Sequence, residues 1–272
     1  MADAVCTFPV AILAEKRAEG QPWIQDSEDV RGGKVGPQRM TLHYFTHGSR
    51  DMSRVAVTFD DGPNPPRTEQ VLDILAAEGC QATFFLIGKW VERWPRTVRR
   101  IMDGGHVIGN HSHTHVLGVG DYDDAEAAIS HVTGRACRFA RAPAFDYASC
   151  AQSPLIASGE LVLIDADVNP SDWAKTDAES IAEAILFDPN LGGGSIIDLH
   201  DSSERDDAAH RLSRPVPMIE ALPVVLRTLR QRGFELVGVD QLELVDPVSW
   251  QPDDPQPELH RAAQAAQVVR KQ

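Results

Sequence analysis

Positive charge is scarce in this chain of 272 residues: 26 Lys and Arg stand against 40 Asp and Glu, a formal net charge of −14 with no basic block. Such a surface repels a phosphate backbone, so no nucleic-acid partner is expected. Long hydrophobic runs are missing as well. The longest apolar stretches, such as Val5 to Ala14, fall far short of the roughly 20 residues that a membrane-spanning helix needs, and no membrane partner is expected. Cysteine is sparse too. Cys6, Cys80, Cys137 and Cys150 are widely spaced with no CxxC pair, which argues against a disulfide framework or a structural zinc site. A secretory leader is also not evident. VCTFPVAILA imitates a signal-peptide core, but Asp3 precedes it and Glu15, Lys16 and Arg17 follow it, so it reads as folded structure. The expected localisation is cytoplasmic, or extracellular if the chain is a processed form.

What remains is an ordinary globular composition, 42% hydrophobic and 24% charged, long enough for one large domain. From Arg54 onward short β-branched or aromatic runs alternate with helical patterns. RVAVTF, QATFFLIG, HVIGN, CRFAR, LVLIDAD, GSIIDLHD and FELVGV read as strands. Between them, PRTEQVLDILAAEG sets Val71, Leu72, Ile74 and Leu75 on one helical face and stops at Gly79, and KWVERWPRTVRRIMDGG reads as a helix with Pro95 at a start or kink. DAEAAISHV, AESIAEAILF and Pro217 to Arg232 are further helices. Parallel strands need crossover connections, so the fold class is α/β, either doubly wound or a barrel, with chemistry at the C-terminal ends of the strands. Residues 1–53 read as an N-terminal extension packed on the core, 54–245 as the catalytic domain and 246–272 as a C-terminal tail.

The strand ends carry polar groups in series: Asp60-Asp61, His111 to His115, Arg141, Asp165 to Trp173 and His200-Asp201. Each is weak alone. Asp-Asp recurs at three other places in this acidic chain, and His43 and His47 repeat the spacing of His111 and His115. Residues four apart lie within about 6 Å on a helical turn but about 13 Å apart on a strand. TLHYFTHG looks extended, whereas GNHSHTH leaves a strand through Gly109 into a turn, so His111 and His115 are the better metal-ligand candidates. Two imidazoles and a carboxylate leave coordination positions open, as in hydrolytic sites. Ser112 stands where a zincin protease needs Glu.

These segments resemble the polysaccharide deacetylases, the NodB-type family also called carbohydrate esterase family 4. Five motifs occur in order: TFDDGPN (58–64), GNHSHTH (109–115), RAPAF (141–145), DVNPSDW (167–173) and LHD (199–201). The resemblance implies a distorted (β/α) barrel, usually of seven units. It implies Asp61, His111 and His115 as metal ligands and Asp60 as the general base, paired with Arg141. His200 is then the general acid, with Asp172 orienting it. The backbone N–H of Ala144 would serve the oxyanion, with Phe145 beside it, and Trp173 and Leu199 would wall the acetyl pocket. The implied cofactor is a divalent metal, Zn²⁺ first, with Co²⁺, Ni²⁺ or Mn²⁺ also suited to the donor set.

Three departures bear on substrate choice. Ala144-Phe145 replaces a common Tyr-Gly, Asn169 replaces a usual Asp in the fourth motif, and the stretch from His115 to Arg141 is short. His113 is expected at the surface, and Asp201 either assists His200 or caps the next segment. The expected activity is hydrolysis of the acetamide of N-acetylglucosamine units in chito-oligosaccharides or peptidoglycan fragments. The alternatives are an O-acetyl (xylan) esterase, a cytosolic N-deacetylase of a small acetylated metabolite, and a non-catalytic carbohydrate-binding relative, which the intact motifs disfavour.

Overall fold

Strand β2 (Arg54–Gly62) sits near one end of the sheet and sets the pattern for the whole fold. Its side chains alternate, as the pleat requires: Val55, Val57 and Phe59 join the core that packs under the helices, while Ala56, Thr58 and Asp60 point to the inner face. The computed structural model describes residues 41–116, 121–202, 217–251 and 254. Around β2 the other strands are β1 (Leu42–Phe45), β3 (Thr83–Leu86), β4 (Val107–Asn110), β5 (Phe139–Ala140), β6 (Val162–Ile164), β7 (Ile196–His200), β8 (Glu235–Val237) and β9 (Val248–Trp250).

Among the described residues these form one sheet in the order β7-β2-β3-β4-β5-β6-β1-β9, with β8 also on β2. Every pairing is parallel except β1 with β9. The sheet curls until its two sides meet: Val168, beyond β6, bridges Ile197, and His47, beyond β1, bridges Ser195. The architecture is thus the expected α/β fold with a curled, barrel-like sheet.

The helices α1 (Arg67–Glu78), α2 (Gly88–Arg93), α3 (Pro95–Asp103) and α4 (Tyr122–Thr133) follow β2, β3 and β4. Short helices α5 (Tyr147–Cys150) and α6 (Pro154–Ala157) link β5 to β6, and α7 (Ala178–Leu186) and α8 (Pro217–Gln231) pack together outside the sheet. Helix α1 buries Val71, Leu72 and Leu75 and ends where Gly79 takes φ 63°, the left-handed cap that glycine adopts at least cost. Pro95 splits the helix expected from Lys89 onward into α2 and α3, because its ring starts a helix but cannot continue one.

Two strands lie outside the 54–245 span expected for the core. β1 pairs in parallel with β6, and β9 pairs antiparallel with β1, so residues 42–45 and 248–250 belong to the sheet. Residues 1–40 and most of the C-terminal tail lie outside the described residues, as does Cys6. Cys80, Cys137 and Cys150 are free thiols, as expected. Among the described residues no helix is long and apolar enough to cross a membrane.

Candidate active site

Adjacent residues on a regular strand point to opposite faces, so Asp60 and Asp61 should not share a site. A bulge resolves the conflict. The β2–β3 register shifts between Asp60 and Gly62, and Asp61 takes φ 73°, which turns its carboxylate back to the inner face beside Asp60. Both carboxylates are buried, and both approach His111 Nε2, at 3.6 Å from Asp60 Oδ2 and 3.5 Å from Asp61 Oδ1.

His111 and His115 come together on a turn after β4. Ser112 and His115 both adopt positive φ, the Ser112 N–H donates to Asn110 Oδ1, and the His115 N–H donates to Ser112 Oγ. The rings end 5.1 Å apart, with His115 Nε2 3.1 Å from Asp61 Oδ1. His43 lies on extended β1, pairing with Ser249, as the sequence pattern suggested. The Arg141 carbonyl, which only accepts, lies 3.0 Å from His111 Nδ1, so that nitrogen carries the proton and Nε2 presents a lone pair.

Asp61 Oδ1 therefore faces two imidazole nitrogens, is buried, and makes no aligned hydrogen bond. One donor atom each from Asp61, His111 and His115 lies within 4.8 Å of the others. This two-nitrogen, one-oxygen set fits an open divalent-metal site. Burial pushes the Asp61 carboxyl upward, but the facing imidazoles, His115 foremost, outweigh it and hold the group well below the usual carboxylate range.

Arg141 is wholly buried and lies behind Asp60. Its NH1 donates to Thr58 Oγ1 at 2.7 Å, Asp60 Oδ1 at 2.9 Å and Asp198 Oδ1 at 3.2 Å. NH2 and Nε donate to the carbonyls of Asp165 and Ile164. The guanidinium also stacks 4.3 Å over the Phe85 ring. Gly109 makes that stack possible, since a Cβ there would fall 2.5 Å from the ring. Burial would lower the Arg141 pKa, but Asp60 and Asp198 beside it raise it and keep the group charged.

On the other flank, β7 aligns His200 with Asp60 in parallel register, so the two project from neighbouring strands at one level. His200 Nδ1 lies 2.8 Å from Asp172 Oδ1, and its backbone N–H donates to Asp172 Oδ2 at 3.0 Å. Burial disfavours the charged imidazole, but Asp172 and then Asp198 overcome it and raise His200 well above the usual histidine value. Asp172 sits in the 3₁₀ turn Asp172–Ala174, entered through Ser171 at φ 51°. Of the seven non-glycine residues described with positive φ, six lie on these loops: Asp61, Ser112, His115, Ala144, Phe145 and Ser171. That concentration is where strained backbone is expected to carry function.

The structure brings Asp60, Asp61, His111, His115, Arg141, His200 and Asp172 together. Ala144 and Phe145 follow Arg141 in the turn Pro143–Phe145, with Phe145 buried, and Trp173 is 37% exposed beside Asp172. Leu199 is a correction. It is buried among the helix-side core with Phe59 and Val71, because alternation along β7 sends Leu199 outward and Asp198 and His200 inward. It does not wall the inner face. His113 is half-buried against Gly88 rather than at the surface. Asp201 is buried and Gly62 packs against its carboxylate. The short stretch after His115 includes residues 117–120, which lie outside the described residues.

Asp198 was not anticipated. Period-two counting back from His200 is the signal that finds it.

The chain matches the polysaccharide deacetylase family model over residues 47–153. A chitooligosaccharide deacetylase of Sinorhizobium fredii is 33% identical over 199 residues, 69% of this chain and 90% of that protein. This chain belongs to the polysaccharide deacetylase family. Its fold is correspondingly similar to that of a peptidoglycan N-acetylglucosamine deacetylase, at 28% identity and TM-score 0.63 over 73% of this chain and 92% of the other. A family 4 acetyl xylan esterase from Clostridium thermocellum, solved with a cobalt ion, matches at 31% identity and TM-score 0.57, covering 69% and 88% of the two chains. As a member of this family the chain is a carbohydrate deacetylase, a hydrolase.

Proposed function

We propose that this deacetylase hydrolyses the acetamide of N-acetylglucosamine units in chito-oligosaccharides or peptidoglycan fragments, in a metal-dependent reaction. The observation that carries the reading is the juxtaposition of the clustered Asp61–His111–His115 donor set with two separately buttressed groups, Asp60 on Arg141 and His200 on Asp172. The names of the related deacetylases support the substrate class. Asp61, His111 and His115 would hold the cation, with Zn²⁺ the best match to two imidazoles and one carboxylate. When bound, a divalent cation lowers the pKa of water and polarises a carbonyl.

The chain's own groups divide the proton work. Asp60, oriented by Arg141, takes a proton from the attacking water. His200, held charged by Asp172, donates a proton to the departing amine. The backbone N–H of Ala144 serves the developing oxyanion, and Phe145 and Trp173 border the acyl group.

The test is acetate release from N-acetylglucosamine oligomers of increasing length, with chelation and then Zn²⁺ or Co²⁺ add-back. Release that needs metal and rises with chain length supports the reading. Metal-loaded protein that releases nothing from any oligomer overturns it. The likeness to an acetyl xylan esterase supports a second reading, attack on O-acetyl esters, for which acetylated xylan is the parallel substrate.

A further inference from the structure

Asp60, Asp198 and His200 form a second cluster with donor atoms within 4.8 Å. Its members hold partners of a different kind. Asp60 and Asp198 share Arg141 NH1, His200 holds Asp172, and Asp198 Oδ2 accepts from Asn169 Nδ2 at 2.7 Å. The Arg141 guanidinium already bridges its two carboxyl groups. The cluster is not a metal site but a connection.

We infer that Asp198 is a positioning residue that ties the Arg141–Asp60 flank of the site to the loop carrying Asp172 and, through Asp172, to His200. The path is continuous. Asp60 Oδ1 and Asp198 Oδ1 accept from one nitrogen of Arg141, and Asp198 Oδ2 accepts from Asn169. Asn169 Oδ1 accepts the Ser171 N–H at 2.8 Å, which sets the left-handed residue just before Asp172, and Asp172 takes both the ring and the backbone N–H of His200. The main chain runs beside it, with the Asp198 N–H donating to the Val168 carbonyl at 2.9 Å. Asp198 is 1% exposed and both its oxygens accept from nitrogen donors, so its contacts fix the orientation of the carboxyl group. The amide at position 169 then has a reason: it supplies the N–H that a carboxyl facing Asp198 at this distance would not.

The inference rests on the proposed roles of Asp60 and His200, and it predicts a reciprocal rescue. Asp198→Asn turns an amide NH₂ toward either Asn169 Nδ2 or Arg141 NH1, donor against donor, and Asn169→Asp sets two carboxyl groups against each other. Each should lower kcat about tenfold or more with KM within about twofold, since misplacement of an acid or base by a fraction of an ångström is felt mainly in the chemical step. The double variant Asn169→Asp/Asp198→Asn restores one donor facing one acceptor and should regain most of the lost kcat. Singles at the wild-type rate, or a double variant whose loss is the product of the two, would overturn the inference. If the Asp198 variants do not fold, Asn169→Ala, which leaves the Asp198–Arg141 bond in place, decides it: a fall in kcat at constant KM supports it and an unchanged kcat sinks it. A wild-type protein without deacetylase activity would instead refute the functional reading, so the two failures are distinguishable. Thermal unfolding of the same four proteins, stripped of metal, gives a readout independent of turnover: coupling between the two positions is expected there too, and its absence counts against the contact.

Discussion

Asp172→Asn isolates the part of the site that keeps His200 charged. The carboxylate makes two contacts, to the imidazole Nδ1 at 2.8 Å and to the His200 backbone N–H at 3.0 Å, in a position only 6% exposed. An amide retains one acceptor oxygen and turns an NH₂ toward the other donor. One buried donor then lacks a partner, at about 1–3 kcal/mol, and the surviving contact loses its charge assistance. If that loss falls on the transition state, kcat drops about 5- to 150-fold. The pH profile carries the sharper signature. In the wild type, activity that depends on protonated His200 persists until pH rises through its raised pKa, and in Asp172→Asn the alkaline limb should move to lower pH.

The stability linkage has the same origin. A histidine whose folded pKa is raised stabilises the fold fully below its unfolded pKa of about 6.5, and that contribution fades as pH rises through the folded value. The difference in Tm between wild type and variant should therefore be greatest in mildly acidic buffer and smallest at alkaline pH. kcat against pH for acetate release, with Tm measured in the same buffers, is the assay. An alkaline limb that stays in place in Asp172→Asn would refute the assignment of that limb to His200.

Two other substitutions separate binding from chemistry. Asp60→Ala should abolish acetate release while metal content, measured by atomic absorption, stays at wild type, whereas His111→Ala should lose both. Arg141→Met leaves Asp60 and Asp198 buried without their shared cation, which should cost about 3–5 kcal/mol of stability in denaturant titration. A loss below about 1 kcal/mol would mean that the two carboxylates had found other partners.

Much of this site was legible because its parts sit at consecutive strand ends. RVAVTF, HVIGN and GSIIDLHD are β-branched runs ending in ionisable groups, and a parallel sheet gathers those ends. Two kinds of error had physical causes. Leu199 was expected at the acetyl pocket from the resemblance of LHD to the family's fifth motif, but a strand sends neighbours to opposite faces, and the residue that shares His200's face is Asp198. β1 looks extended in the sequence but falls in the segment assigned to the N-terminal extension, and β9 was missed, because their pairings with β6 and with each other join segments far apart in the chain. Pro95 could be read either as a helix start or as a kink, and the packing chose the start.

The extra residue in β2 has a consequence for anyone wishing to transplant this chemistry. Copying the Asp-Asp dipeptide onto a regular strand of another parallel barrel would deliver one carboxylate to the lumen and bury the other, uncompensated, among the helices. The portable unit is not the pair of side chains but the pair together with the irregular backbone that turns Asp61 through φ 73° and leaves β3 one residue short opposite it. A graft that omits the irregularity would carry the right letters and only half the reactive centre.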